Sequence, residues 1–147
     1  MEAKVVHVII ALLKEQHAEI VLDMEHLQEM LRHPVCLECE QNVRKLMKIL
    51  DQRVILHLVQ EDQLLYPKLL QSGYAPIQDM ARRFIQEMGG MAVEFSRYMQ
   101  QWQSADELVT HWEQFVEQTR QLADRLIRRI SREENELFPL IDSLDRE

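Results

Sequence analysis

Apolar residues along this chain recur in alternating steps of three and four, the spacing that gathers them on one face of an α-helix. The first stripe runs Val6, Ile10, Leu13, His17, Ile20, Met24, Leu27 and Leu31, and the second Val43, Met47, Leu50, Val54, His57, Glu61 and Leu65. The third runs Ile77, Ala81, Phe84, Met88, Met91, Phe95, Tyr98 and Trp102. The fourth takes in Leu108, Trp112, Phe115, Thr119, Leu122, Leu126, Arg129, Glu133, Leu137 and Leu140. Breaks fall at His33-Pro34, at Ser72-Gly73-Tyr74-Ala75-Pro76 and at Ser104, which predicts helices over about 4–32, 37–70, 76–102 and 105–144. Pro76 suits a first helical turn, where a missing N–H costs nothing, and Ser104 and Glu107 stand in the reciprocal positions of a capping box. Short connections make neighbouring helices antiparallel. The pattern therefore predicts an all-α, up-down-up-down four-helix bundle forming one domain over residues 1–147.

Composition agrees with few, long elements: only three Gly and four Pro occur in 147 residues, and 46% apolar content is enough for one core. The net charge of −8 repels phosphate backbones and anionic lipid, so nucleic acid and membranes are not expected partners. The longest apolar run, Val8 to Leu13, falls far short of the ~20 residues of a bilayer span and is followed by no small-residue cleavage site. The expected location is the cytoplasm, a reducing compartment that suits the two cysteines, Cys36 and Cys39.

A self-comparison reveals a duplication. The segment His57-Leu-Val-Gln-Glu61-Asp62-Gln-Leu-Leu65-Tyr66-Pro67 recurs 72 residues later as Arg129-Ile-Ser-Arg-Glu133-Glu134-Asn-Glu-Leu137-Phe138-Pro139. The chain thus reads as two αα-hairpins related by a pseudo-twofold, and the same offset carries His17 to within one residue of Met88. Five ionisable residues, His17, His57, Glu61, Arg129 and Glu133, interrupt stripes that otherwise read as core. Uncompensated charge inside a bundle costs several kcal/mol per group, so these residues must neutralise one another, hold a metal or line a wet cavity. His57 and Glu61, one turn apart, aim an imidazole and a carboxylate at one point. Inward carboxylates and imidazoles in a helical bundle are the ligand pattern of di-iron and di-manganese proteins.

These residues resemble the hemerythrin-like (HHE cation-binding) domains over almost the whole chain. The likeness is carried by His17, by His57-x-x-x-Glu61-Asp62 with Leu65-Tyr66-Pro67, and by Glu133-Glu134 with Leu137-Phe138-Pro139. It implies a six-ligand di-iron set, of which His17, His57, Glu61 and Glu133 are present, while the remaining two histidines fall at Met88 and Arg129. Both replacements belong to the same metal, so at most one iron is implied and not oxygen carriage of the hemerythrin kind.

Two solutions fit the remaining residues. In one, His17, His57, Glu61 and Glu133 bind a single metal and the Arg129 guanidinium fills the second position. In the other, no metal is bound and Arg129 forks between Glu61 and Glu133. The corresponding functions are a metal-binding sensory or regulatory domain without turnover, and a metal-free protein-interaction module. A third is a mononuclear iron site reacting with oxygen, peroxide or nitric oxide. No nucleophile–base pair, phosphate loop or cofactor fingerprint points to another enzyme. Val5, Ile9 and Trp102 are apolar residues expected on exposed faces, where they would support a homodimer or a protein partner.

Two motifs stand apart. Cys36-Leu-Glu-Cys39 is either half a zinc site or redox pair, with a helix start that favours thiolates, or simply two small residues at a bundle end. Gly89-Gly90 interrupts the third helix at a cost on the order of 2 kcal/mol. It reads first as close approach of a neighbouring helix or partner chain, and alternatively as a thinned wall giving a small molecule access to the polar cluster.

Overall fold

The computed structural model describes residues 3–144, so both ends of the 1–147 span lie outside the described residues. Among the described residues the regular structure is all helical, without strands. They form α1 (Ala3–Met30), α2 (Leu37–Gln60), α3 (Tyr66–Leu70), α4 (Ala75–Met88), α5 (Met91–Gln101), α6 (Ala105–Thr110), α7 (Trp112–Arg132) and α8 (Phe138–Leu144). Two π-helical turns, Glu61–Leu65 and Glu133–Leu137, join α2 to α3 and α7 to α8.

The expectation of four uninterrupted helices is corrected at three kinds of place. At the π turns the amide of Tyr66 reaches the carbonyl of Glu61, and that of Phe138 reaches Glu133, five residues back in each case. Each turn ends two residues before a proline, Pro67 or Pro139. A proline in a helix interior removes one amide donor and clashes with the carbonyl four residues back, and a widened turn accommodates both problems.

At Gly89-Gly90 the third helix breaks between α4 and α5. Gly90 adopts φ +80°, a left-handed conformation that disfavours any side chain, and Gly89 is extended with ψ 166°. The third interruption is at His111, between α6 and α7, just after the β-branched pair Val109-Thr110, which fits a helix less well. Pro76 lies in the first turn of α4 as expected. Ser104 occupies the N-cap of α6 with an extended backbone, but its side chain makes no capping hydrogen bond, so the capping box is not formed.

The apolar stripes bury two separate clusters. One joins Val6, Ile10 and Leu13 of α1 to Leu69, Ile77, Phe84, Phe138 and Ile141. The other runs from Ile20 and Leu27 through Leu50, Val54 and Phe95 to Phe115 and Leu126. Between them in sequence, on three different helical paths, lie His17, His57, Glu61, Arg129 and Glu133, all at most 2% exposed. The ionisable residues form a polar layer across the core. Trp102, expected on an exposed face, is instead buried, with its Nε1–H donating to Gln118 at 2.9 Å, whereas Val5 is exposed and Ile9 half-buried. No described helix is long and apolar enough to cross a membrane.

Candidate metal centre

Each π turn begins on a buried glutamate, and this repeats the duplication at the level of backbone geometry. Glu61 and Glu133 are both fully buried, and each is followed by a second acidic residue on the rim of the layer, Asp62 and Glu134. α1 contributes His17, and α2 contributes His57 one turn before Glu61. The donor atoms of His17, His57, Glu61 and Glu133 all lie within 4.8 Å of one another. His57 Nε2 is 3.0 Å from Glu61 Oε1, while His17 Nε2 is 3.2 Å from Glu133 Oε1 and 3.7 Å from Glu61 Oε2. The two imidazole centroids are 4.6 Å apart.

Five buried atoms facing this point make no hydrogen bond: His17 Nε2, His57 Nε2, both carboxylate oxygens of Glu61, and Glu133 Oε1. Buried polar atoms rarely go without a partner, because an unsatisfied group costs about 1–3 kcal/mol. Two nitrogens and three oxygens around one point are a donor set suited to a divalent transition metal. The residues present fit such an ion.

The opposite edges of the imidazoles are held from outside. His17 Nδ1 pairs with Glu134 Oε2 at 2.8 Å, and His57 Nδ1 with Gln16 Oε1 at 2.8 Å. Gln16 is fixed in turn by donating from Nε2 to Gln60 Oε1 at 2.8 Å. An Nδ1–H engaged in this way leaves Nε2 as the free lone pair, the outer-shell arrangement that orients metal-binding histidines. The apolar periodicity does not reveal Gln16, Gln60 or Glu134 in this role. Glu134 was flagged by the duplication, but no periodic signal marks the two glutamines.

Arg129 fills the place that the duplication assigns to a histidine. Its Nη2 donates to Asp62 Oδ1 at 2.8 Å and its Nη1 to the Met88 carbonyl at 3.1 Å. It also lies within ion-pair distance of Glu61 Oε1, at 3.4 Å, and Glu133 Oε2, at 3.5 Å, but Nε makes no hydrogen bond. The guanidinium is therefore anchored on the rim, and the fork between Glu61 and Glu133 is not made as hydrogen bonds. The Met88 side chain, at the other replaced position, turns away from the layer, with its sulfur 3.8 Å from Arg132 Nη1. Its backbone carbonyl, at the break before Gly89, is what serves Arg129.

The Gly89-Gly90 break also opens the wall. A cavity of about 200 Å³ lies against it, lined by Asp62, Tyr66, Phe84, Gly89, Gly90 and Arg129 among others. The expected close approach of a neighbouring helix is not found: nothing lies within 4 Å of where a Gly90 Cβ would be, and a Gly89 Cβ would meet only Ile85 of its own turn. Tyr66, beside this cavity, donates from its hydroxyl to Glu133 Oε2 at 2.8 Å. Its counterpart Phe138 stacks on His17 with ring centroids 6.0 Å apart.

Proton affinities follow from burial and crowding. Burial favours neutral Glu61, but the His17 and His57 imidazoles beside it overcome this and hold its carboxyl well below the usual range. Burial and the neighbouring Glu61 charge push Glu133 up to about 8. Burial disfavours charge on His17, yet Glu133 and Glu61 raise it to about 10. Arg129 is likewise raised against its burial, by Glu61 and Glu133, and stays charged.

The cysteine pair lies elsewhere. Cys36 and Cys39 are joined by a disulfide at the start of α2, so they are neither free packing residues nor thiolates here.

No curated protein and no solved structure matches this chain. Residues 8–141, nearly its whole length, match the hemerythrin HHE cation binding domain. Buried histidines and glutamates converging within a helical bundle are what a cation-binding domain of this type requires, and the chain belongs to the hemerythrin HHE cation-binding family.

Proposed function

We propose that this protein is a metal-binding sensory or regulatory domain that holds one divalent metal, iron, through His17, His57, Glu61 and Glu133. The Arg129 guanidinium stands where a second metal would sit, and the domain carries out no turnover of its own. The observation that carries this reading is the set of five buried donor atoms without hydrogen bonds, facing one point beside a fixed cation. Glu61, Glu133 and the Asp62 carboxylate that holds Arg129 together balance the charge of one divalent metal and one guanidinium. In the metal-free alternative, Arg129 bridges Glu61 and Glu133, yet its hydrogen bonds go to Asp62 and Met88 and leave three of the four carboxylate oxygens unsatisfied.

Bound iron would supply redox chemistry and an open position for a small gas such as oxygen or nitric oxide. The chain's own residues orient the imidazoles through Gln16 and Glu134, keep the layer dry between two apolar clusters, and admit a small molecule beside Tyr66 and Arg129. As a sensory domain the protein works in the cytoplasm and passes its state to a protein partner or a second copy. Nucleic acid and membranes are disfavoured by the net charge of −8.

The test is metal analysis of tag-free protein purified without added metal, beside a His57→Ala sample. About one iron per chain that disappears in the variant is expected, and Arg129→His should raise the metal content toward two. No metal in either wild type or variant would overturn the reading in favour of the protein-interaction module. Gas- or peroxide-dependent turnover that is lost in Glu61→Ala would show the site to be an enzyme.

A further inference from the structure

We propose that Cys36 and Cys39 form a reversible thiol–disulfide exchange site for low-molecular-weight thiols, separate from the metal centre. The two cysteines are bonded, with Cα atoms 5.0 Å apart, at the first turn of α2. Cys36 is the N-cap residue, extended at φ −142°, ψ 165°, and is exposed to solvent while Cys39 is half-buried. Cys36 and His57 lie at opposite ends of α2, about 30 Å apart along the helix.

Two features argue against a structural staple. The bond spans a sequence separation of only three residues, so it constrains the unfolded chain far less than a long-range disulfide would. The turn it closes is also held without it, since the Glu40 amide donates to the Cys36 carbonyl at 3.0 Å and α2 continues for 24 residues.

Two other features suit exchange. An incoming thiolate meets Cys36 first, because Cys36 is the more exposed of the two residues. The reduced state has a ready partner as well: the Cys39 amide donates to Cys36 Sγ at 3.1 Å, and helix N-terminal amides favour a thiolate. Glu38, exposed in the same turn, opposes that charge, while the carboxylate of Glu40 is engaged by Arg44.

In the reaction, an external thiolate attacks Cys36 Sγ. The bond to Cys39 breaks, and Cys39 leaves as a thiolate that takes up a proton. A second external thiol then attacks the mixed disulfide, releasing Cys36 as a thiol. Two external thiols are oxidised to one disulfide while the protein gains two electrons and two protons.

The experiment equilibrates the full chain with glutathione at graded reduced-to-oxidised ratios, quenches in acid, alkylates, and counts modified cysteines by mass. The expected result is two alkylated cysteines at high ratio, none at low ratio, and the same curve from either direction. Cys39→Ser should accumulate a glutathione adduct on Cys36, and Cys36→Ser should form its adduct at least tenfold more slowly, with metal content unchanged in both. Two free thiols in excess oxidised glutathione would overturn the proposal, as would a bond that excess reduced glutathione does not open. The wild-type titration decides between these outcomes even where a variant fails to fold.

Discussion

Glu61 and Glu133 open matching π turns, 72 residues apart, and each turn sets a buried carboxylate inward and an acidic neighbour on the rim. Around the first, the preceding turn of helix supplies His57, and the rim residue Asp62 reaches across to Arg129. Around the second, the corresponding position is Arg129 itself, and the rim residue Glu134 reaches across to His17. One frame thus serves two purposes. Where the rim carboxylate meets a histidine, it turns the other ring nitrogen toward the point where the four donors meet. Where it meets an arginine, it anchors a permanent cation. The tyrosine of the first half bonds the glutamate of the second, and the phenylalanine of the second half stacks on His17. The histidines and both glutamates still meet at one point, and in the proposed reading the loss of symmetry in the side chains leaves one metal position of two.

Removing Arg129 should break this arrangement most severely. In metal-free protein, Arg129→Met leaves buried carboxylates without their cation and should cost about 3–5 kcal/mol in urea unfolding. The equivalent change in the first half, His57→Met, should cost only about 1–3 kcal/mol, the penalty for unpaired buried groups.

Acidity reads the same crowding. His17 is raised from 6.5 to about 10, and Glu133 from 4.5 to about 8, so both hold more protons folded than unfolded. The stability that His17 contributes is full below pH 6.5 and is lost as pH rises toward 10, and Glu133 acts in the same direction between 4.5 and 8. The melting temperature of metal-free protein should therefore fall by several degrees across pH 6.5–10. Metal affinity, measured against a chelator, should rise over the same range because the ion displaces those protons.

A finer contrast lies in the rim. Gln16→Leu and Glu134→Gln should each weaken metal binding about 10–100-fold in chelator competition, since both orient a ligand histidine. Asp62→Asn, the counterpart of Glu134→Gln, should leave affinity near wild type, because Asp62 holds Arg129. The smallest effect is expected at the helix break. Gly90→Ala forces a side chain into a left-handed conformation and should cost about 1–2 kcal/mol in thermal unfolding.

Much of this was legible in the sequence, because burial follows periodicity. Every residue of the first two stripes is buried, including His17, His57 and Glu61. The 72-residue repeat pointed to Arg129 and Met88 as the replaced positions, and the two structural repeats coincide with the two π turns. The π turns themselves were not legible, since a widened turn inserts a residue without changing which residues are apolar. The prolines that follow them were the available signal. Trp102 was placed on an exposed face although its own stripe ends on it, and packing against Phe115 buried it.

The sequence by itself determined that this chain makes helices with apolar faces, that ionisable residues interrupt those faces, and that its two halves share a frame. These follow from local spacing, which helical geometry converts directly into direction. Tertiary structure alone decided what those residues do to one another. Only the crossing of helices brought four donors within 4.8 Å, turned Arg129 to Asp62 and the Met88 carbonyl, and set Gln16 behind His57. Contacts between residues distant in sequence depend on rotamers and on breaks in the helical path, and neither is written in periodicity.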